Sequence, residues 1–144
     1  MGELPASVHR IHLTPLNNHT FRPGLQGMVA SAILRRLLQN SSVRVVPIET
    51  AQAVMGGNLT VYENFPIAFD VNDVGRRFRV RVGLSMELKE QGAEKPLLKE
   101  DFVGEAYYTT GSDVLGTRSA EEEAAQRAAA DLAARVVTRL TGGL

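Results

Sequence analysis

Apolar and polar residues alternate without a break from Phe78 to Leu88. Phe78, Val80, Val82, Leu84, Met86 and Leu88 fall on one side. Arg77, Arg79, Arg81, Gly83, Ser85, Glu87 and Lys89 fall on the other. A period of two means successive side chains on opposite faces, which predicts a β-strand over Gly75–Glu90 with one buried and one wet face. It is long against the usual length of about 5–6 residues. A half-polar strand of this kind belongs in an antiparallel sheet, where one face can meet water.

Ser7–Leu16 predicts a first strand, with Pro15 at an edge or strand end. Asn17–Pro23 is polar and reads as a loop. Leu25, Met28, Val29, Ala32, Ile33 and Leu37 recur at three and four, predicting an amphipathic helix over Pro23–Gln39. Pro23 suits the first helical position, while Gly24 and Gly27 weaken the first turn. Val43–Ile48 is a short apolar run leading into the sheet. Ala53–Phe65 predicts a second strand, with Met55, Leu59 and Val61 on one face and Asn58, Thr60, Tyr62 and Asn64 on the other. Gly56-Gly57 marks a bulge or a close backbone approach. Pro66–Gly75 reads as a loop with Asn72-Asp73 as turn residues.

Gln91-Gly92-Ala93-Glu94 predicts a hairpin turn, and Leu97–Tyr108 the next strand, with Leu98, Phe102, Ala106 and Tyr108 inward. Thr109–Arg118 reads as a loop. Ser119-Ala120-Glu121-Glu122 has the form of a capping box, in which hydroxyl and carboxylate meet unpaired backbone N–H groups. The helix it opens reaches about Thr141, with an alanine-rich stripe narrow enough to lie close to a sheet, and ends at Gly142-Gly143. The expected fold is α+β: a two-layer sandwich, a mainly antiparallel four-stranded sheet with two helices on one face, in the order β-α-β-β-β-α, as one domain over residues 1–144. In such a meander the loops Pro66–Gly75 and Thr109–Arg118 share one end of the sheet, bringing Arg76, Arg77 and Arg118 together.

Charge is balanced, Lys+Arg 16 against Asp+Glu 16, which argues against general nucleic-acid binding. The absence of cysteine removes disulfides and thiolate metal sites. No run of about 18 apolar residues offers a membrane span, and Met1–Ser7 has no apolar signal core. These features fit either a cytosolic chain or a mature secreted domain. His9, His12 and His19 lie close in sequence, but His9 and His12 fall on opposite strand faces, so no metal site and no cofactor is expected. No phosphate-loop or nucleophile-elbow pattern occurs.

The segment IHLTPLNNHTFRPGLQGMVASAILRRLL resembles the strand–loop–helix opening of the lipopolysaccharide-assembly lipoprotein LptE (rare lipoprotein B) family. The similarity continues through AVMGGNLTVYENFPIAFDVND, RRFRVRVGLSMEL, FVGEAYY and the terminal helix SAEEEAAQRAAADLAARVVTRL, from about Val8 to Leu140. It is carried by the order and spacing of elements. The resemblance implies a non-enzymatic lipoprotein, lipid-anchored on the periplasmic side of a Gram-negative outer membrane. Such a protein plugs the β-barrel LptD and assists insertion of lipopolysaccharide into the outer leaflet. The family's lipidated N-terminal cysteine is absent, and Met1-Gly2 stands near where it would lie, so a form without signal peptide and anchor is expected.

The arginines carry two readings. Arg79 and Arg81 suit a solvated sheet face, pairing with Glu87, Asp101 and Glu105 across strands. The resemblance implies lipopolysaccharide binding by basic residues in the two loop regions. These map here to Arg76, Arg77 and Arg118, with Arg79 and Arg81 beside them, and the guanidinium fork suits phosphate. The first of those loops also carries Asp70 and Asp73. A rival reading is a periplasmic lipoprotein that binds another ligand or envelope complex. A small hydrolase lacks any visible nucleophile–base pair.

Overall fold

The computed structural model describes residues 8–72, 75–110 and 113–142. In chain order it contains β1 (Arg10–Leu13), β2 (Asn17–Asn18), α1 (Leu25–Leu38), β3 (Arg44–Val45), a 3₁₀ turn (Ile48–Thr50), β4 (Ala53–Phe69), β5 (Gly75–Glu90), β6 (Leu98–Thr109) and α2 (Val114–Leu140). None of the described helices is long and apolar enough to cross a membrane.

The expected architecture holds as α+β with two helices, but the sheet has six strands and is mixed, correcting the four-stranded antiparallel expectation. Its order is β3-β1-β4-β5-β6, with β2 also pairing with β4. β1 runs parallel to both β3 and β4, and β2 parallel to β4. The antiparallel meander is β4-β5-β6. The physical reason is length. Two-residue strands such as β2 and β3 have no period to read.

β5 spans Gly75–Glu90 as the alternation predicts. Val80, Val82, Leu84, Met86 and Leu88 are buried, and Phe78 is partly buried, while Arg77 and Glu87 are exposed. In β6, Phe102, Ala106 and Tyr108 turn inward as expected, and Leu98 is partly buried. β4 differs from expectation. A register shift between Leu59 and Val61 inserts an extra residue, so the phase of the strand changes there. Val61 pairs with Gly83 on the open face, whereas Tyr62 pairs with Val82 and Asn64 with Val80 on the helix side. The bulge thus lies beyond Gly56-Gly57. Gly57 meets the other expectation, close approach: a Cβ there would come within 3.1 Å of Met86 Cα. β4 also continues to Phe69, through part of the segment expected as a loop.

α1 buries Leu25, Val29, Ala32, Ile33 and Leu37, a stripe at helical spacing. It starts at Leu25 because Gly24 adopts φ 82°, a left-handed conformation outside the helix. α2 starts five residues before Ser119. Its cap is Asp113, whose carboxylate accepts from Gly116 N–H at 2.7 Å, so the Ser119 capping box is corrected. Ser119 instead lies within the helix. α2 buries Ala124, Ala125, Ala128, Ala129, Leu132, Ala133, Val136, Val137 and Leu140 against the sheet and α1. The expected turn residue Asp73 and helix stop Gly143, and the segment Met1–Ser7, lie outside the described residues.

Candidate functional site

The sheet face away from the helices is open, and its chemistry is arranged in rows across three strands. Register places Glu63, Arg81 and Glu105 side by side, then Phe65, Arg79 and Tyr107, then Ala68, Arg77 and Thr109. Arg77, Arg79 and Arg81 therefore descend one column of β5 with partners on both flanks.

Arg81 is held by carboxylates, Arg77 and Arg79 by aromatic rings. Arg81 Nε lies 2.9 Å from Glu105 Oε2, and its Nη1 lies 3.8 Å from Glu63 Oε1. The Nε contact is an ion pair without hydrogen-bond alignment. These carboxylates, not Glu87 or Asp101, are the partners, since Asp101 faces Ser85 and Glu87 faces Lys99. With side chains between 33% and 48% exposed, such pairs are worth at most about 1 kcal/mol. Arg79 stacks over Phe65 at 4.3 Å from the ring centroid, and Arg77 over Tyr107 at 5.3 Å. Stacking on a ring fixes a guanidinium plane while leaving its edge donors free. Arg79 Nε is covered and has no hydrogen-bond partner among the described residues.

Arg76 takes the opposite phase, outside this column, and pairs with Asp70 at 3.2 Å. Arg118 is exposed on the first turns of α2, not on a loop as expected. The two regions do share one end of the sheet, because Thr110 N–H donates to Arg76 O at 2.9 Å just before α2 begins. The structure thus groups Arg77, Arg79 and Arg81 on one face and places Arg76 and Arg118 at its end.

Three features escaped the sequence reading. Tyr107 follows from the same alternation that turns Glu105 outward. Phe65 reaches the open face only because of the β4 bulge, which no local pattern reveals. Arg127 of α2 donates to Tyr107 O at 2.8 Å and, with Arg77, Tyr107 and Glu123, lines a recess of about 430 Å³ beside β6.

On the helix side, a second polar cluster closes the molecule. Arg22, just before α1, donates to Tyr62 Oη at 3.0 Å, and Tyr62 Oη donates to Glu121 at 3.1 Å. Arg22 also pairs with Glu122 and stacks over the Tyr62 ring at 4.9 Å. Burial pushes the Tyr62 hydroxyl up to about 12; the positive charge of Arg22 opposes the rise and Glu121 adds to it. Nearby, Tyr108 Oη donates to Asn64 Oδ1 at 2.8 Å and its ring stacks on Phe78. The glutamates expected to serve a helix cap are thus partners of Arg22 and Tyr62. His12 Nδ1 lies 3.0 Å from Val46 O, and no group of three metal-ligating side chains occurs among the described residues.

A family model described as LptE, lipopolysaccharide-assembly, matches residues 8–140. The chain belongs to the LptE family. Solved structures share the fold of this LptE-family chain at low identity. A lipoprotein B from Nitrosomonas europaea is 16% identical, with a TM-score of 0.63 over 94% of this chain and 83% of its own. The rare lipoprotein B of Shewanella oneidensis is 14% identical, with a TM-score of 0.58 over 88% and 91%. A Xanthomonas campestris protein is 11% identical, with a TM-score of 0.68 over 96% and 88%. No curated protein matches the chain. Membership in this family supports a role in lipopolysaccharide assembly.

Proposed function

We propose that this chain is a non-enzymatic lipopolysaccharide-assembly factor whose open sheet face and adjoining end bind the phosphates and sugars of lipopolysaccharide, and which seats in an LptD-type barrel. The observation that carries the reading is the column Arg77, Arg79, Arg81 on an uncovered face, with two of its guanidinium groups lying over aromatic rings. Such groups present paired N–H donors to phosphate oxygens in fixed geometry. Arg118, exposed at one end of this face, adds a further cation, and Arg76 stands beside that end paired with Asp70. Family membership supports the pathway, and the lipoprotein relatives support an envelope protein held by an N-terminal lipid on the periplasmic side of the outer membrane.

The test is a titration of lipopolysaccharide into the wild-type domain and into Arg77→Glu/Arg118→Glu. Affinity is expected to fall at least fivefold while circular dichroism and melting stay unchanged. Equal affinity in the folded double variant would remove this site. Co-purification of the lipidated protein with its cognate barrel tests the plug role separately.

A further inference from the structure

We propose that the free edge of β6 is a strand-addition surface, that Arg127 and Asp131 of α2 hold it closed, and that when opened it takes β6 of a second copy. The proposal concerns the edge of the sheet and does not depend on lipopolysaccharide binding.

Among the described residues, β6 is the last strand of the sheet and pairs only with β5. Thr110 N–H donates to Arg76 O, so alternate residues of β6, Lys99 through Tyr107, turn their main-chain groups away from β5. A row of unpaired N–H and C=O groups of this length is a template for another strand. Two side chains of α2 occupy that template. Asp131 Oδ2 accepts from Glu105 N–H at 2.9 Å, and Arg127 Nη2 donates to Tyr107 O at 2.8 Å. An acceptor meets the N–H and a donor meets the C=O, as a neighbouring strand would. The two residues are four apart on α2 and so lie on one face, and Arg135 steadies Asp131 from one turn further at 3.2 Å. The helix lies close enough to reach because Gly104 has no side chain beneath Leu132.

The main-chain groups of Asp101 and Val103 have no such cover among the described residues, so the closure is partial. Charge selects the occupant and its register. Pairing β6 with itself so that Lys99 of one copy faces Glu105 of the other sets unlike charges opposite one another, with Phe102 at the twofold axis. Moving the pairing by one residue on each strand sets Asp101 against Glu105 and is repulsive.

Sedimentation velocity on the wild type, on Arg127→Ala/Asp131→Ala and on the double variant with Lys99→Glu tests the proposal. The double variant is expected to self-associate at least tenfold more tightly than the wild type, and Lys99→Glu to reverse at least most of that gain. A folded double variant as monomeric as the wild type overturns the proposal. So does a dimer insensitive to Lys99→Glu, which would place the contact elsewhere. Amide hydrogen exchange on the wild type gives a check that needs no variant. The Glu105 amide is expected to exchange at least tenfold more slowly than the Asp101 and Val103 amides, and equal rates would refute the closure.

Discussion

Leu132 of α2 lies directly over Gly104 of β6: a Cβ on Gly104 would stand 2.7 Å from Leu132 Cβ and 2.5 Å from Leu132 N. The helix backbone therefore rests on the sheet at this crossing. Gly104→Ala is expected to lower stability by about 1–3 kcal/mol through overpacking, and Gly104→Val by more. Urea unfolding of both variants measures it. Because α2 also carries Asp131, whose carboxylate accepts from the Glu105 N–H, a loosened crossing is expected to raise exchange at the Glu105 amide as well.

Tyr62 links the loop before α1 to α2, and its raised pKa makes that link pH-dependent. The unfolded side chain ionises near 10.0, while the folded one holds its proton to about 12. Between those values the folded state binds more protons than the unfolded state, so stability is fully present below pH 10 and falls as pH rises through that window. Tyr62→Phe is expected to flatten the fall. Absorbance titration of tyrosinate together with melts from pH 9 to 12 checks both the sign and the residue.

The start of α2 separates two candidate caps. Asp113→Ala removes the acceptor for Gly116 N–H and is expected to cost about 1 kcal/mol. Ser119→Ala replaces a residue already inside the helix and is expected to change stability by less than about 0.5 kcal/mol. Thermal or urea unfolding of the pair distinguishes them, and a reversed order would place the helix start at Ser119.

Phe65 supports Arg79 from the neighbouring strand. Phe65→Leu keeps an apolar side chain but removes the ring, at a loss of about 0.5–1 kcal/mol of cation–π attraction. Under the proposed function, lipopolysaccharide affinity is expected to fall roughly two- to fivefold by the same relation. Isothermal titration reads it directly. Unchanged affinity would mean that Arg79 contributes nothing as a stacked donor.

Some of this molecule is written in local pattern. The unbroken alternation from Phe78 to Leu88 determined β5, its buried face and the outward column Arg77, Arg79, Arg81, because side-chain direction along a strand depends only on sequence parity. The three-and-four spacing in α1 and the alanine stripe in α2 determined both helices and their buried sides for the same reason. The order and spacing of these elements sufficed to suggest the family.

Tertiary structure decided the rest. The two-residue strands β2 and β3 exist only because longer neighbours supply their hydrogen-bond partners, so the parallel half of the sheet had no local signal. The β4 bulge reversed the faces of Val61, Tyr62 and Asn64, since one inserted residue changes parity for everything after it. Glu121 and Glu122 found Arg22, about a hundred residues away in sequence, in preference to their own helix terminus. Periodicity governs what a residue faces, but which distant residue it meets there depends on how strands register and helices cross.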